Sequence, residues 1–251
     1  MDISSDNAGV RLENIGGNVR IDLRRSDVIR AIEIKGNVDL KGRGQDVELQ
    51  NIAGQVTVGG TYVGQVQLRN LAQPLRYEDP QITISCEKLP GQLHMGLGEL
   101  TATNMIGPVR VNGRSRDVQL SDFTQSLDLT LERGDIMLRP GKTVPKIEVH
   151  TRSGDIDLAL PAGAKFDLKA STDRGEVHND YGSPLTVDES HRGATIAGST
   201  GSGPQVRLET GRGPVTVRKA SSEDMTFPNL PTPPATPSAP APPSAPIRQE
   251  L

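Results

Sequence analysis

The sequence predicts an all-β fold: a single parallel β-solenoid, or β-helix, with coils of about 19 residues and two strand arcs per coil. Three observations lead there. A short unit, glycine-x-aliphatic-x-aliphatic, recurs from Gly17 to Val217. The units keep a double register along the chain. The composition is poor in rings, with 34 % apolar residues, 2 % aromatics, no tryptophan and 27 glycines. A narrow coil has room inside for aliphatic side chains and little room for rings.

The unit is read first. It occurs at Gly17-Asn-Val-Arg-Ile21, Gly36-Asn-Val-Asp-Leu40, Gly54-Gln-Val-Thr-Val58, Gly64-Gln-Val-Gln-Leu68 and Gly91-Gln-Leu-His-Met95. It continues at Gly107-Pro-Val-Arg-Val111, Gly134-Asp-Ile-Met-Leu138, Gly154-Asp-Ile-Asp-Leu158 and Gly213-Pro-Val-Thr-Val217. Each is a turn residue followed by period-2 alternation, which marks a short strand with one buried face. Glycine suits the corner because it tolerates positive φ. Gly175, in Arg174-Gly175-Glu176, occupies the same kind of corner.

The register comes next. One series of first aliphatic positions runs Val10, Val28 or Ile29, Val47, Val66, Ile84, Leu100, Val118, Ile136, Ile156, Val177, Ile196 and Val215. A second runs Val19, Val38, Val56, Leu75, Leu93, Val109, Leu127, Ile147, Phe166, Leu185 and Val206. Eleven or so coils stacked in chain order at about 4.8 Å would give a rod of roughly 50 Å. General crossover chirality favours a right-handed coil. A β-sandwich of hairpins is the alternative, but hairpins do not force a constant spacing.

Arg133-Gly134-Asp135 resembles an adhesion tripeptide. Its counterparts at Arg152-Ser-Gly-Asp155, Arg174-Gly175-Glu176 and Arg212-Gly213-Pro214 mark it as a repeated corner whose charges pair across stacked coils. The solenoid domain is expected over residues 1–220. Residues 221–251, rich in Pro, Ala and Ser, read as a disordered tail. The first coil starts near Val10 and shows little ahead of it to cap an open end, which leaves a short cap, a second protomer or an upstream segment.

Candidate chemistry is sparse. The net charge of −3 lacks the basic field that nucleic-acid binding needs. No stretch reaches the roughly 20 apolar residues of a membrane span, and the first residues do not form a signal peptide. Cys86 has no disulfide partner in the chain. His94, His150, His178 and His191 share no ligand spacing. Asp155 and Asp157 flank Ile156, so they face outward together and are the one candidate carboxylate pair for a hard cation. Asp188-Glu-Ser-His191 lacks a nucleophile elbow, and Gly198–Gly203 lacks the βαβ context of a dinucleotide loop. No catalytic residue and no cofactor is expected.

The segments "LPGQLHM", "RSRDVQLSDF", "LERGDIMLRPG", "VHTRSGDIDLALP" and "RGEVHNDYG" resemble a bacterial adhesin-like family of domains of unknown function, whose envelope-associated members carry T-x-x-G-D-I repeats. The resemblance covers about residues 8 to 220. It implies a parallel β-solenoid in the cell envelope and supplies no catalytic or binding motif. The functional expectation is a non-enzymatic adhesin-like rod presenting a repetitive polar surface to a glycan, a wall polymer or a partner protein. A self-assembling scaffold resembling the bactofilins, with end-to-end association, is the first alternative. A carbohydrate-active β-helix enzyme is the second.

Overall fold

The computed structural model describes residues 1–190 and 193–221. These form an all-β solenoid of about 8 turns with a repeat near 19 residues, and 22 strands join one continuous hydrogen-bonded ladder. The expected tail at 221–251 lies, apart from Ser221, outside the described residues.

Each coil contributes an arc to either of two faces. On one face, residues 29–34 of the strand Val19–Ile34 lie between Val10–Ile15 and residues 47–52, with Val10, Ile29, Val47 and Val66 in register. On the other, Val19, Val38, Val56 and Leu75 are in register. The inward positions of both faces form one aliphatic core, closed by the buried rings of Tyr77, Phe123 and Phe166. Alternation along each strand puts every second side chain inside, and stacking buries it against identical positions above and below.

Two departures from simple winding shape the rod. Asp79-Pro80-Gln81 forms a hairpin that reverses the chain. The Asp79 carboxylate accepts the backbone N–H groups of Gln81 (2.6 Å) and Ile82 (2.8 Å), and it also accepts the Tyr77 hydroxyl at 2.9 Å. Ile82–Cys86 therefore runs antiparallel to Leu75–Glu78, and Leu89–Met95 runs antiparallel to Val66–Leu71. The reversal exchanges two series positions. Ile84 pairs with Tyr77 and Val111 on the second face, and Leu93 pairs with Leu68 and Ala102 on the first. A second hairpin at Gly96-Leu97-Gly98 restores the direction.

The last coil is out of order. Gln205–Thr210 and Val215–Lys219 insert between the coil of Ile147–Thr151 and Ile156–Leu160 and the coil of Asp167–Thr172 and Val177–Asp180. Ile196, expected on the first face, lies opposite Ala170 on the second, in a strand antiparallel to Asp167–Thr172. The Thr186–Ser190 and Gly193–Ser199 strands close that end as an antiparallel pair. Rod length therefore corresponds to fewer coils than the aliphatic count suggests, because some aliphatics belong to hairpins.

Candidate functional site

The corners are stitched by side chains. The Asn37 backbone N–H donates to Asn18 Oδ1 at 2.9 Å, and Gln55 N–H donates to Asn37 Oδ1 at 2.9 Å. On the opposite corner, Gln65 N–H donates to Asp46 Oδ1, Asp135 N–H to Asp117 Oδ1 and Asp155 N–H to Asp135 Oδ1, at 2.8, 3.0 and 3.0 Å. Each Asn or Asp thus satisfies a corner N–H of the next coil that no strand partner reaches. Asp135 of the Arg-Gly-Asp tripeptide is one rung of this ladder, which identifies that tripeptide as a structural corner.

The corner glycines divide into two kinds. At Gly107, Gly134, Gly154 and Gly213 φ is positive, between 97° and 145°. At Gly36, Gly54, Gly64 and Gly175 it is not, and glycine is required there by close approach: a Cβ would sit 2.1 to 2.4 Å from an atom of the neighbouring coil. Gly17 has open space around it. Gly91 is not in a turn but within the strand Leu89–Met95, where a Cβ would meet the Thr103 carbonyl at 2.1 Å.

A further column holds the arginine-bearing corners from inside. Thr151, Thr210 and Thr172 stand in register and are buried. The Thr210 hydroxyl donates to the Gly154 carbonyl at 3.1 Å, and Thr172 donates to the Gly213 carbonyl at 2.9 Å. This gives T-x-x-G its physical meaning: in two of the three coils the hydroxyl fixes the glycine corner of a neighbour, and in the third Thr151 holds its own corner through the Ser153 carbonyl at 3.4 Å.

Outside, two grooves lie beside these corners, one lined by acids and one by arginines and acids together. One, of about 330 Å³, is lined by Glu99, Asp117, Asp135, Asp155 and Asp157 among others. The carboxyl of Asp155 is raised above its ordinary value by burial and by the charge of Asp135. The next rung explains why nothing offsets this: the position in register with Asp155 is Pro214, which has no N–H to donate. Asp157 is not available to a cation with Asp155, because Arg218 of the inserted coil binds it through Nε at 3.0 Å and Nη2 at 3.1 Å. The candidate pair is thereby split.

The other groove, of about 980 Å³, lies where the inserted coil meets the end pair of strands. Arg152, Arg174, Arg212 and His178 line it, with Asp173, Glu176 and Glu189 on the same walls and Gly175, Gly193 and Gly211 among its lining residues. The expected pairing of corner charges does not occur there. Ion pairs between stacked coils lie on strand faces instead, as in Arg30–Glu48 at 2.6 Å and Arg20–Asp39 at 3.3 Å. Arg152, Arg174 and Arg212 form no ion pair among the described residues. His178 approaches Glu176 at 3.6 Å, and His150 approaches Glu209 at 3.5 Å. Hydrogen bonding from Arg207 holds the Glu209 carboxyl below its usual range. His191, and with it the end of the Asp188-Glu-Ser-His191 run, lies outside the described residues. No three His, Cys, Asp or Glu side chains among the described residues form a group able to hold a metal. Burial pushes the Cys86 thiol up to about 11.

Fold and corners together define a β-solenoid with polar ladders on its outer edges and, at one end, arginines without an ion pair among the described residues. The chain belongs to the Toastrack family, DUF4097, a family of unknown function whose model matches residues 10–218. No curated protein and no solved structure matches it. No helix among the described residues is long and apolar enough to cross a membrane.

Proposed function

We propose that this domain is a non-enzymatic binding module of the cell envelope, a rod that presents repeated polar rungs to a glycan, a wall polymer or a partner protein. The observation that carries the reading is the register of the outer edge. Asp117, Asp135 and Asp155 occupy one ladder position on successive coils, which sets equivalent groups about 4.8 Å apart. A row of identical groups at fixed spacing suits a ligand that is itself extended and repetitive. Catalysis instead calls for different groups converging on one reacting atom.

Co-sedimentation of the purified chain with insoluble envelope fractions tests the reading. Saturable binding to a polymer fraction is the expected result. Absence of binding to every fraction at high protein concentration would overturn it, and protein that pellets alone as filaments would replace it with the scaffold reading.

A further inference from the structure

We propose that the arginine-lined groove at the inserted coil is a ligand site of its own, apart from the aspartate ladder, and that its ligand is an acidic glycan whose carboxylate or phosphate groups are held by Arg152, Arg212 and Arg174. The proposal rests on the reading of the domain as a binding module and adds a site to it.

Sequence and topology bring these residues together. The inserted coil places Arg212 between two corners that are otherwise consecutive in the chain. The Gly154 N–H donates to the Arg212 carbonyl at 2.8 Å, and the Gly213 N–H donates to the Arg174 carbonyl at 3.1 Å. Backbone bonds therefore stack the corners directly, with Arg212 in the middle. The buried threonine hydroxyls hold the Gly154 and Gly213 carbonyls from within, so the guanidinium groups project from a fixed frame. Gly175, Gly193 and Gly211 also line the groove, and each packs against neighbouring backbone, where a Cβ would lie 2.2, 2.4 and 2.8 Å from a carbonyl oxygen.

The electrostatics select the ligand. Three arginines share the groove with Asp173, Glu176 and Glu189, yet none forms an ion pair with them. Their planar donor forks stay available, and such forks match carboxylate and phosphate oxygens two at a time. The acids on the same walls accept hydroxyl hydrogens, which a simple polyanion lacks and a sugar supplies.

No phenylalanine or tyrosine ring among the described residues is exposed for stacking. Each such ring, in Tyr62, Tyr77, Phe123, Phe166 and Tyr181, is buried to 8 % exposure or less. Among the described residues the one ring at the groove is the His178 imidazole, a small platform for a neutral sugar, so the arginines' charge-assisted hydrogen bonds are the main source of recognition.

The test is a calorimetric titration of the full chain with polygalacturonate, a phosphodiester-linked polysaccharide, dextran and inorganic polyphosphate. The two acidic glycans distinguish carboxylate from phosphate. Saturable binding of at least one, weakened as salt rises and much stronger than dextran or polyphosphate, is the expected result. Arg212→Gln should lower that affinity about tenfold. Arg212→Lys, which keeps the charge and loses the fork, should restore only part of it. Unchanged thermal unfolding of both variants would show that the coil is intact. Binding of an acidic glycan that ignores Arg152, Arg174 and Arg212 would overturn the groove and leave the module reading standing. Binding of dextran alone would do the same. No binding to any of the four polymers would overturn the groove, and the envelope-fraction experiment decides the module reading separately.

Discussion

Alanine at Gly154 tests how the coils stack, because two separate penalties meet there. Its φ of +145° is one that L-residues rarely adopt, and a Cβ would lie 2.0 Å from the Gly134 carbonyl oxygen of the coil below. The first penalty is about 1–3 kcal/mol. The second acts on backbone, which cannot rotate away, so the two coils must part locally. Their sum should reach about 4 kcal/mol, near the upper end for one substitution. Three other glycines separate the contributions. Gly163 has positive φ (+76°) and nothing within 4 Å of a Cβ, so alanine there should cost about 1–3 kcal/mol. Gly36 has no positive φ but a backbone carbon 2.4 Å from the Cβ position, so it isolates close approach. Gly17 has neither, and alanine there should be neutral or stabilise by about 0.5 kcal/mol. Urea unfolding followed by far-UV circular dichroism gives the four values. The reasoning is refuted if Gly154→Ala and Gly36→Ala are as benign as Gly17→Ala.

Other changes address other parts of the account. Thr210→Val should destabilise by about 1 kcal/mol in the same assay, because it leaves the half-buried Gly154 carbonyl without its hydroxyl partner. Arg218→Met should loosen the inserted coil at Asp157 and speed hydrogen exchange in residues 215–219, while the coil of residues 19–34 keeps its protection. Asp155 carries a folded-state pKa above its unfolded value of 3.8. Its ionisation therefore costs stability above the folded pKa, and that cost disappears as pH falls through the folded value toward the unfolded one. Asp155→Asn should remove this dependence and raise stability at pH 7 by less than about 1 kcal/mol, as pH-dependent thermal unfolding would show. Cys86, buried and with its thiol pushed up to about 11, should resist alkylation at pH 8 in the native state and react on unfolding.

Much of this architecture is legible in the sequence, and the misreadings have definite causes. The double spacing of aliphatics shows coils with two arcs because burial on two faces imposes it. Spacing is blind to chain direction, since a strand read backwards keeps its period of two. Ile84 and Leu93 therefore fell on exchanged faces, and the signal that corrects them is local: Tyr77-Glu-Asp-Pro80 in front of a strand, with Asp79 ready to cap a hairpin. Coil order is harder to read. The coil at 205–219 has the same inward aliphatics as its neighbours, so the pattern fits any slot, and only the complete packing chooses.

A second set of corners went unread. Asn14, Glu33, Asn51, Asn70, Asn104 and Asp122 all have φ between 50° and 58°, and each precedes a large apolar residue, from Ile15 to Phe123. Asn is the residue most tolerant of that conformation after glycine. Asn70 also donates from Nδ2 to Asn51 Oδ1 at 2.8 Å, so the Asn-aliphatic spacing was a signal as regular as the glycines. For the candidate site, the arginine corners were visible as a repeat. Their lack of ion pairs among the described residues was not, because it depends on where the inserted coil places them.

The most direct test of the central claim, a rod that works by presenting its surface, is light scattering on the full chain over a hundredfold concentration range. It should be run alone and then with the acidic glycan. Constant mass alone, with a saturable increase on adding polymer, is what a presenting module predicts. Mass that grows with protein concentration and ignores the polymer would contradict it and make the coil ends the working surface.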